Sequence, residues 1–288
     1  MKTVKSKKIN MKTYCIFVII FFCFTLQTFA EKNKRAIVVG ATSGIGRAVA
    51  KLLAQDGYTL GLAGRRVPLL ESLQKEIKSD SYIKQIDASC HEKAAQDLQE
   101  LFGQMGGLDL IVISISAFTD IENEQNSWIK EKKTIDVDLV GFWALAHTAV
   151  AYFEKQKHGH LVGISSIAGI RGLGHNPVYC GAKAFISTYL EGVRNKMIHY
   201  GIPIYVTDIV PGWVDVESAT LSDIPGTYWV ASVDKAAKHI IEAIKEKKKI
   251  AYITKRWKLI AMLLRENPEN MFEGVYSLTS LSDLVLDK

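Results

Sequence analysis

The chain has 288 residues, 48% of them hydrophobic and 23% charged, which excludes a disordered tail and a multi-span membrane protein and leaves one large globular domain or two small ones. A formal charge of +6 would point to an acidic partner if it were spread along the chain, but five of the 36 basic residues (Lys2, Lys5, Lys7, Lys8 and Lys12) fall in the first 30 positions, where there is no acid. The other 258 residues carry 31 basic against 30 acidic side chains, so charge makes no case for nucleic-acid binding.

Residues 1–30 read as a targeting segment rather than part of a fold. Lysines precede an apolar run from Tyr14 to Leu26, and small residues follow near Ala30. The run is shorter than the roughly 20 residues that a bilayer span needs, which favours a signal peptide over an uncleaved N-terminal anchor. Met11 restarts the same charged-then-apolar pattern. The expected location is therefore membrane-associated or exported, and cytoplasmic if the start is misassigned. Cys15 and Cys23 lie in this leader, so only Cys90 and Cys180 remain for the fold; two cysteines make neither a disulfide framework nor a four-ligand zinc site, and no metal is expected.

Behind the leader, β-branched runs alternate with amphipathic stretches. Strands are predicted at Arg35 to Val39, Tyr58 to Ala63, Ser81 to Ile86, Leu108 to Ile113, His160 to Ser165, Ile204 to Val210 and near Ile250 to Ile253. Between them, helices are predicted at Arg47 to Gln55, Pro68 to Lys78, His91 to Phe102, Trp128 to Lys155, Tyr179 to Tyr200 and Val233 to Lys247. This order implies an α/β fold: one Rossmann-type domain over residues 31–288, with a seven-stranded parallel sheet and helices on both faces. No repeat or Gly/Ser-rich linker divides it. Arg256 to Arg265 adds a C-terminal amphipathic segment with basic flanks and a tryptophan at one edge. Such a segment suits a membrane interface or a helix packed on the sheet or a partner subunit.

The first predicted strand empties into Gly40-Ala41-Thr42-Ser43-Gly44-Ile45-Gly46, and the helical pattern starts at once. Gly40 permits the tight turn, Gly44 lets a pyrophosphate approach the backbone, and Gly46 lets the helix pack closely, with the helix N-terminus facing the anion. The second strand ends at Arg65 and Arg66, with no carboxylate for a ribose 2′-hydroxyl; a guanidinium matches a 2′-phosphate, so NADP (NADPH) is expected rather than NAD. Downstream, Ser166 ends a strand, and Tyr179 and Lys183 sit i, i+4 on one helix face. An ammonium there lowers the phenol pKa for proton exchange, and the serine hydroxyl holds the reacting oxygen.

With these residues the sequence resembles the short-chain dehydrogenase/reductase family, over roughly Lys34 to Lys249. The matches are Gly40-x-x-x-Gly44-Ile45-Gly46, Asp87, Ser166, Tyr179-x-x-x-Lys183 and Pro211-Gly212. The resemblance implies an enzyme that transfers a hydride reversibly between a nicotinamide and a carbonyl or alcohol carbon. It implies Tyr179 as the proton donor or acceptor, Ser166 as the carbonyl orienter, Lys183 at the nicotinamide ribose, and Asp87 at the adenine. It also implies a homo-oligomer.

Three departures stand out. Ile113-Ser114-Ile115-Ser116 replaces the family's Asn-Asn-Ala-Gly. Asp138 replaces the asparagine of a water-linked relay, where its charge would blunt the effect of Lys183 on Tyr179. Val216 replaces a threonine that contacts the nicotinamide carboxamide. Val214 to Val230, with Trp213, Tyr228 and Trp229, would form a lid over an apolar small-molecule substrate, and His175 would line the pocket or a plain loop. The alternatives to an oxidoreductase are an NADP-binding protein with weak or no catalysis and a membrane-associated interaction protein.

Overall fold

The structure, a computed structural model, describes residues 34–117, 127–172, 176–216 and 229–266. The expected leader, His175, Tyr228 and most of the expected lid lie outside these residues. Seven strands form one parallel sheet: β1 Arg35–Val39, β2 Thr59–Gly64, β3 Ser81–Gln85, β4 Leu110–Ile113, β5 Gly159–Ile164, β6 Ile204–Pro211 and β9 Ile250–Ile253, ordered β3-β2-β1-β4-β5-β6-β9. Two short strands absent from the sequence reading, β7 Val214–Asp215 and β8 Ala231–Ser232, pair in parallel as a separate ribbon.

The chain builds outward from β1 in one direction through β2 and β3, and in the other through β4, β5, β6 and β9. Val39 therefore pairs with Ala63 on one side and Ile113 on the other, and the carboxyl ends of β1 and β4 flank the point where the strand order reverses. Crevices at such switch points are where open α/β sheets take ligands.

Alternation along β1 shows how the strands feed two cores. Ile37 and Val39 join Leu98, Phe142, Leu145, Phe153 and Leu190 on one face, from the helices α3 (His91–Met105), α5 (Phe142–Gln156) and α6 (Pro177–His199). Ala36 and Val38 join Val49, Leu53, Leu70, Leu73 and Ile240 on the other, from α1 (Gly44–Gln55), α2 (Val67–Glu76) and α7 (Val233–Lys245). Each fully buried Leu, Ile or Phe contributes about 1.5–3 kcal/mol. A last helix, α8 (Trp257–Glu266), packs on a separate small core.

The helical region predicted across Trp128 to Lys155 is three elements: α4 (Ser127–Thr134), a π-helical turn (Ile135–Gly141) and α5. The wider turn brings Gly141 so close to the β3–α3 connection that a Cβ there would lie 2.3 Å from the Ala88 carbonyl oxygen. Short π segments inside α-helices recur at functional sites.

His160 on β5 is buried and hydrogen-bonds Thr207 Oγ1 through Nε2 at 2.8 Å; Thr207 in turn donates to the Lys248 carbonyl at 2.6 Å. Burial, reinforced by the charge of Lys247, pushes the imidazole pKa down to about 4. The folded chain thus holds His160 neutral where the unfolded chain would protonate it. Its contribution to stability is complete above about pH 6.5 and is lost as the pH falls from there through about 4. Urea unfolding at pH 7.5 and 4.5 should show the wild type losing about 2–3 kcal/mol more than His160→Gln over that interval. Equal losses in the two proteins would contradict this assignment.

Candidate active site

The turn after β1 is shaped by backbone contacts. Gly40 has φ +89°, and a Cβ on it would stand 2.1 Å from the Ser114 carbonyl oxygen, so β4 leaves the sheet directly against the turn. A Cβ on Gly46 would stand 2.3 Å from the Gly40 carbonyl oxygen, which seats α1 tightly on the same turn. Ser43 occupies the N-cap of α1 without a side-chain cap bond, and the first turn holds no acid. Its uncapped N–H groups and positive dipole end fit a pyrophosphate. Ile45 packs partly into the neighbouring core, and Val216 lies 3.3 Å from where a Gly44 Cβ would be.

At the end of β2 both arginines are exposed, but they do different things. The Arg66 guanidinium reaches back and donates to Thr42 Oγ1 and Ser43 Oγ, both at 2.8 Å, joining the glycine turn. Arg65 instead acts electrostatically on Asp87. That aspartate follows β3, and its Oδ1 accepts from the Ser89 N–H at 3.0 Å and the Ser89 hydroxyl at 2.7 Å. Burial works against ionising Asp87, yet these hydrogen bonds, with Arg65 and Lys133, hold its carboxyl below the usual range.

Beyond the carboxyl end of β5, Ser166 caps a 3₁₀ turn (Ile167–Ile170), its Oγ accepting from the Ala168 N–H at 3.1 Å. Asn176 caps α6 by accepting from the Tyr179 N–H at 3.1 Å, and Pro177 opens the helix. These local bonds place Tyr179 in the first turn of α6 and Lys183 one turn on, with Lys183 Nζ 5.4 Å from the phenol ring centre. Ser166 hydrogen-bonds the Tyr179 phenol. Gly169 keeps the 3₁₀ turn against α6: a Cβ on it would lie 2.7 Å from the Lys183 carbonyl carbon.

The departures at Asp138 and Ser116 meet beneath this group. Asp138, on the π turn, is fully buried and pairs with Lys183 Nζ at 3.0 Å. Its carboxylate also accepts from the Ser116 hydroxyl at 2.8 Å and from the Ala117 N–H at 2.5 Å, while Lys183 donates to the Ile115 carbonyl at 3.5 Å. The ion pair makes Lys183 more basic than usual despite its burial. The tyrosine runs against expectation: burial first, with Asp138 and Cys180 adding to it, raises the Tyr179 pKa, and the opposing pull of Lys183 and Ser166 does not overcome this.

Pro211 ends β6, and Gly212 admits a side chain that the sequence reading did not place: a Cβ on Gly212 would stand 2.0 Å from Trp257 Cε2. Trp257 meets the Trp213 ring at 5.9 Å and the Trp229 ring at 5.5 Å between centres, and its Nε1 donates to the Trp229 carbonyl at 3.3 Å. Arg171, just after the 3₁₀ turn, donates to the Leu264 and Arg265 carbonyls, both at 2.8 Å, and so ties the end of α8 to the Ser166 segment.

This geometry is that of a dinucleotide-dependent enzyme, and comparison with known proteins identifies the class. The family of short chain dehydrogenases matches over residues 34–223. An uncharacterized oxidoreductase of Myxococcus xanthus is 32% identical over 209 residues, spanning 71% of this chain and 82% of the relative. One from Staphylococcus saprophyticus is 29% identical over 187 residues, spanning 65% and 76%. A 7β-hydroxysteroid dehydrogenase structure superimposes with a TM-score of 0.70 at 24% identity, covering 83% of this chain and 94% of that one. Acetoin dehydrogenase from Salmonella typhimurium gives 0.67 at 22% identity, covering 76% and 94%. The chain belongs to the short-chain dehydrogenase family and is an oxidoreductase of the kind that works with NAD or NADP. The expectation of a silent binding protein rested on Asp138 and the Ile113 to Ser116 stretch, yet Ser166, Tyr179 and Lys183 stand together above both.

Proposed function

We propose that this oxidoreductase prefers NADPH and interconverts an apolar carbonyl compound and its alcohol at a membrane surface. The cofactor preference rests on Arg66, whose guanidinium joins the glycine turn at the end of β2, and on the lack of a carboxylate at that corner. The turn Gly40 to Gly46 would hold the pyrophosphate, Arg65 and Arg66 the 2′-phosphate, and Asp87 the adenine. When bound, the nicotinamide supplies or accepts the hydride at the substrate carbon. Tyr179 Oη gives its proton to the substrate oxygen or takes one from it, Ser166 Oγ hydrogen-bonds that oxygen, and Lys183 supports the phenol from below. The Trp213, Trp229 and Trp257 cluster beside Pro211 and Gly212 suits an apolar substrate.

Membrane contact is proposed for α8. Trp257, Ala261 and Leu264 face inward, while Leu259 and Met262 are 58% and 55% exposed beside the basic Lys255, Lys258 and Arg265. The helical stretch Trp128–Gln156 has the length and composition to cross a bilayer, but it puts Phe142, Leu145 and Phe153 into the core under the sheet.

Arg65→Asp and Arg66→Ala should each raise the NADPH dissociation constant far more than that of NADH, by about 1.5–3 kcal/mol or roughly ten- to a hundredfold. Equal weakening of both cofactors would remove the NADPH assignment. Tyr179→Phe should abolish NADPH oxidation over a panel of apolar ketones and aldehydes while still binding NADPH, whereas retained turnover would move the proton transfer to another group. In cell fractionation the full chain should partition with membranes both with and without residues 1–30; recovery of the intact chain wholly in the soluble fraction would refute the membrane reading.

A further inference from the structure

Two of the three departures from the family pattern touch each other, at the most deeply buried point of the site. Ser116 leaves the end of β4 and Asp138 lies 22 positions later on the π turn, yet the Ser116 hydroxyl donates to Asp138 Oδ2, the same oxygen that pairs with Lys183. The Ala117 N–H takes the other carboxylate oxygen. Asp138 therefore has a donor on both oxygens besides the ammonium, as a buried carboxylate must if it is to stay ionised. Lys183 for its part faces Asp138 and the Ile115 carbonyl.

We propose that Ser116 and Asp138 are a positioning pair that neutralises Lys183 and keeps Tyr179 a proton donor, setting the site for carbonyl reduction rather than alcohol oxidation. The inference rests on the oxidoreductase reading above. An unpaired ammonium below the phenol would favour phenolate, which is the base needed for oxidation. With a carboxylate 3.0 Å from the ammonium the two charges largely cancel, and the phenol keeps its proton. The remaining groups facing the phenol and the lysine do not reverse this. Ser166 donates a hydrogen bond to Tyr179, Cys180 opposes ionisation, and Asp208 on β6 adds further negative influence at Lys183. Asp208 is itself held by the Ser165 hydroxyl at 2.6 Å. In the reducing direction bound NADPH would supply the hydride for the new C–H bond and become NADP⁺, while Tyr179 Oη gives the proton for the new O–H bond. The carbonyl is thereby reduced to the alcohol, and the phenolate that remains is reprotonated from solvent.

The test reads Tyr179 directly and needs neither cofactor nor substrate. The whole protein, labelled with ¹³C at the tyrosine ζ carbon, is titrated by NMR from pH 6 to 11, with Tyr179 assigned by its loss in Tyr179→Phe. Asp138→Asn should bring the Tyr179 midpoint down by about one pH unit or more. If the wild-type phenol does not titrate in this range, its ionisation should enter the range in the variant. The double variant Ser116→Gly/Asp138→Asn replaces both partners together, so it guards against misfolding from a stranded hydroxyl, and it should show the same fall. A Tyr179 midpoint that is unmoved or raised in the folded variants would overturn the pairing. The oxidoreductase reading itself would still stand or fall on turnover by Tyr179→Phe.

Discussion

Lys183, only 2% exposed, carries a buried charge around which the Ser166–Tyr179–Lys183 side of this molecule is organised. Removing such a charge from water costs several kcal/mol even after relaxation, so it persists only with an opposite charge and further hydrogen bonds at good geometry. Asp138 supplies the charge and the Ile115 carbonyl a further acceptor. Asp138 then needs donors of its own, which come from Ser116 and Ala117. The ends of β4, the π turn and α6 are thus bound into one electrostatic unit, and Tyr179 is displayed on top of it.

Backbone proximity is the second organising feature, and it accounts for glycines that a motif alone assigns to the cofactor. Gly40 and Gly46 are required first by the protein's own backbone, since side chains there would strike the Ser114 and Gly40 carbonyls. The anion binding proposed for the turn would follow from that packing, because α1 begins against the turn without a side-chain cap. Gly212 likewise makes room for Trp257, so the Pro211–Gly212 segment is held by an aromatic cluster.

Much of this was readable in the sequence because it is periodic or local. The seven strands, the glycine turn and the Tyr179–Lys183 spacing each depend on residues close together along the chain, where side-chain alternation and the helical repeat carry the information. What could not be read is non-local or leaves the period intact. A π turn inside a continuous apolar helix pattern changes one hydrogen-bond register without changing which residues are hydrophobic, so Ile135–Gly141 passed as α-helix. Asp138 and Ser116 each read as a separate departure, and only the fold shows that one answers the other. Arg65 and Arg66 are equivalent on paper, and only the fold shows that Arg66 is the one that turns back to Thr42 and Ser43. The raised Tyr179 pKa was hidden for a similar reason: the i, i+4 spacing reveals the neighbouring lysine but not the depth of burial or the carboxylate behind it.

The attachment of α8 links the proposed membrane face to the chemistry. Its inner residues Trp257, Ala261 and Leu264 share a small core with Ile167 and Ile170 of the 3₁₀ turn that Ser166 caps, and Arg171 from the next position holds the helix's last carbonyls. Those contacts occupy one side of the helix only, so Leu259, Met262 and Leu263 stay in water with nothing in the described fold to gain from them. Apolar side chains kept out of water release about 25 cal/mol per Å², which is lost here unless another phase covers them. A bilayer covering that outer face would bear on the same helix whose inner face, through Trp257, packs the tryptophan cluster at Gly212.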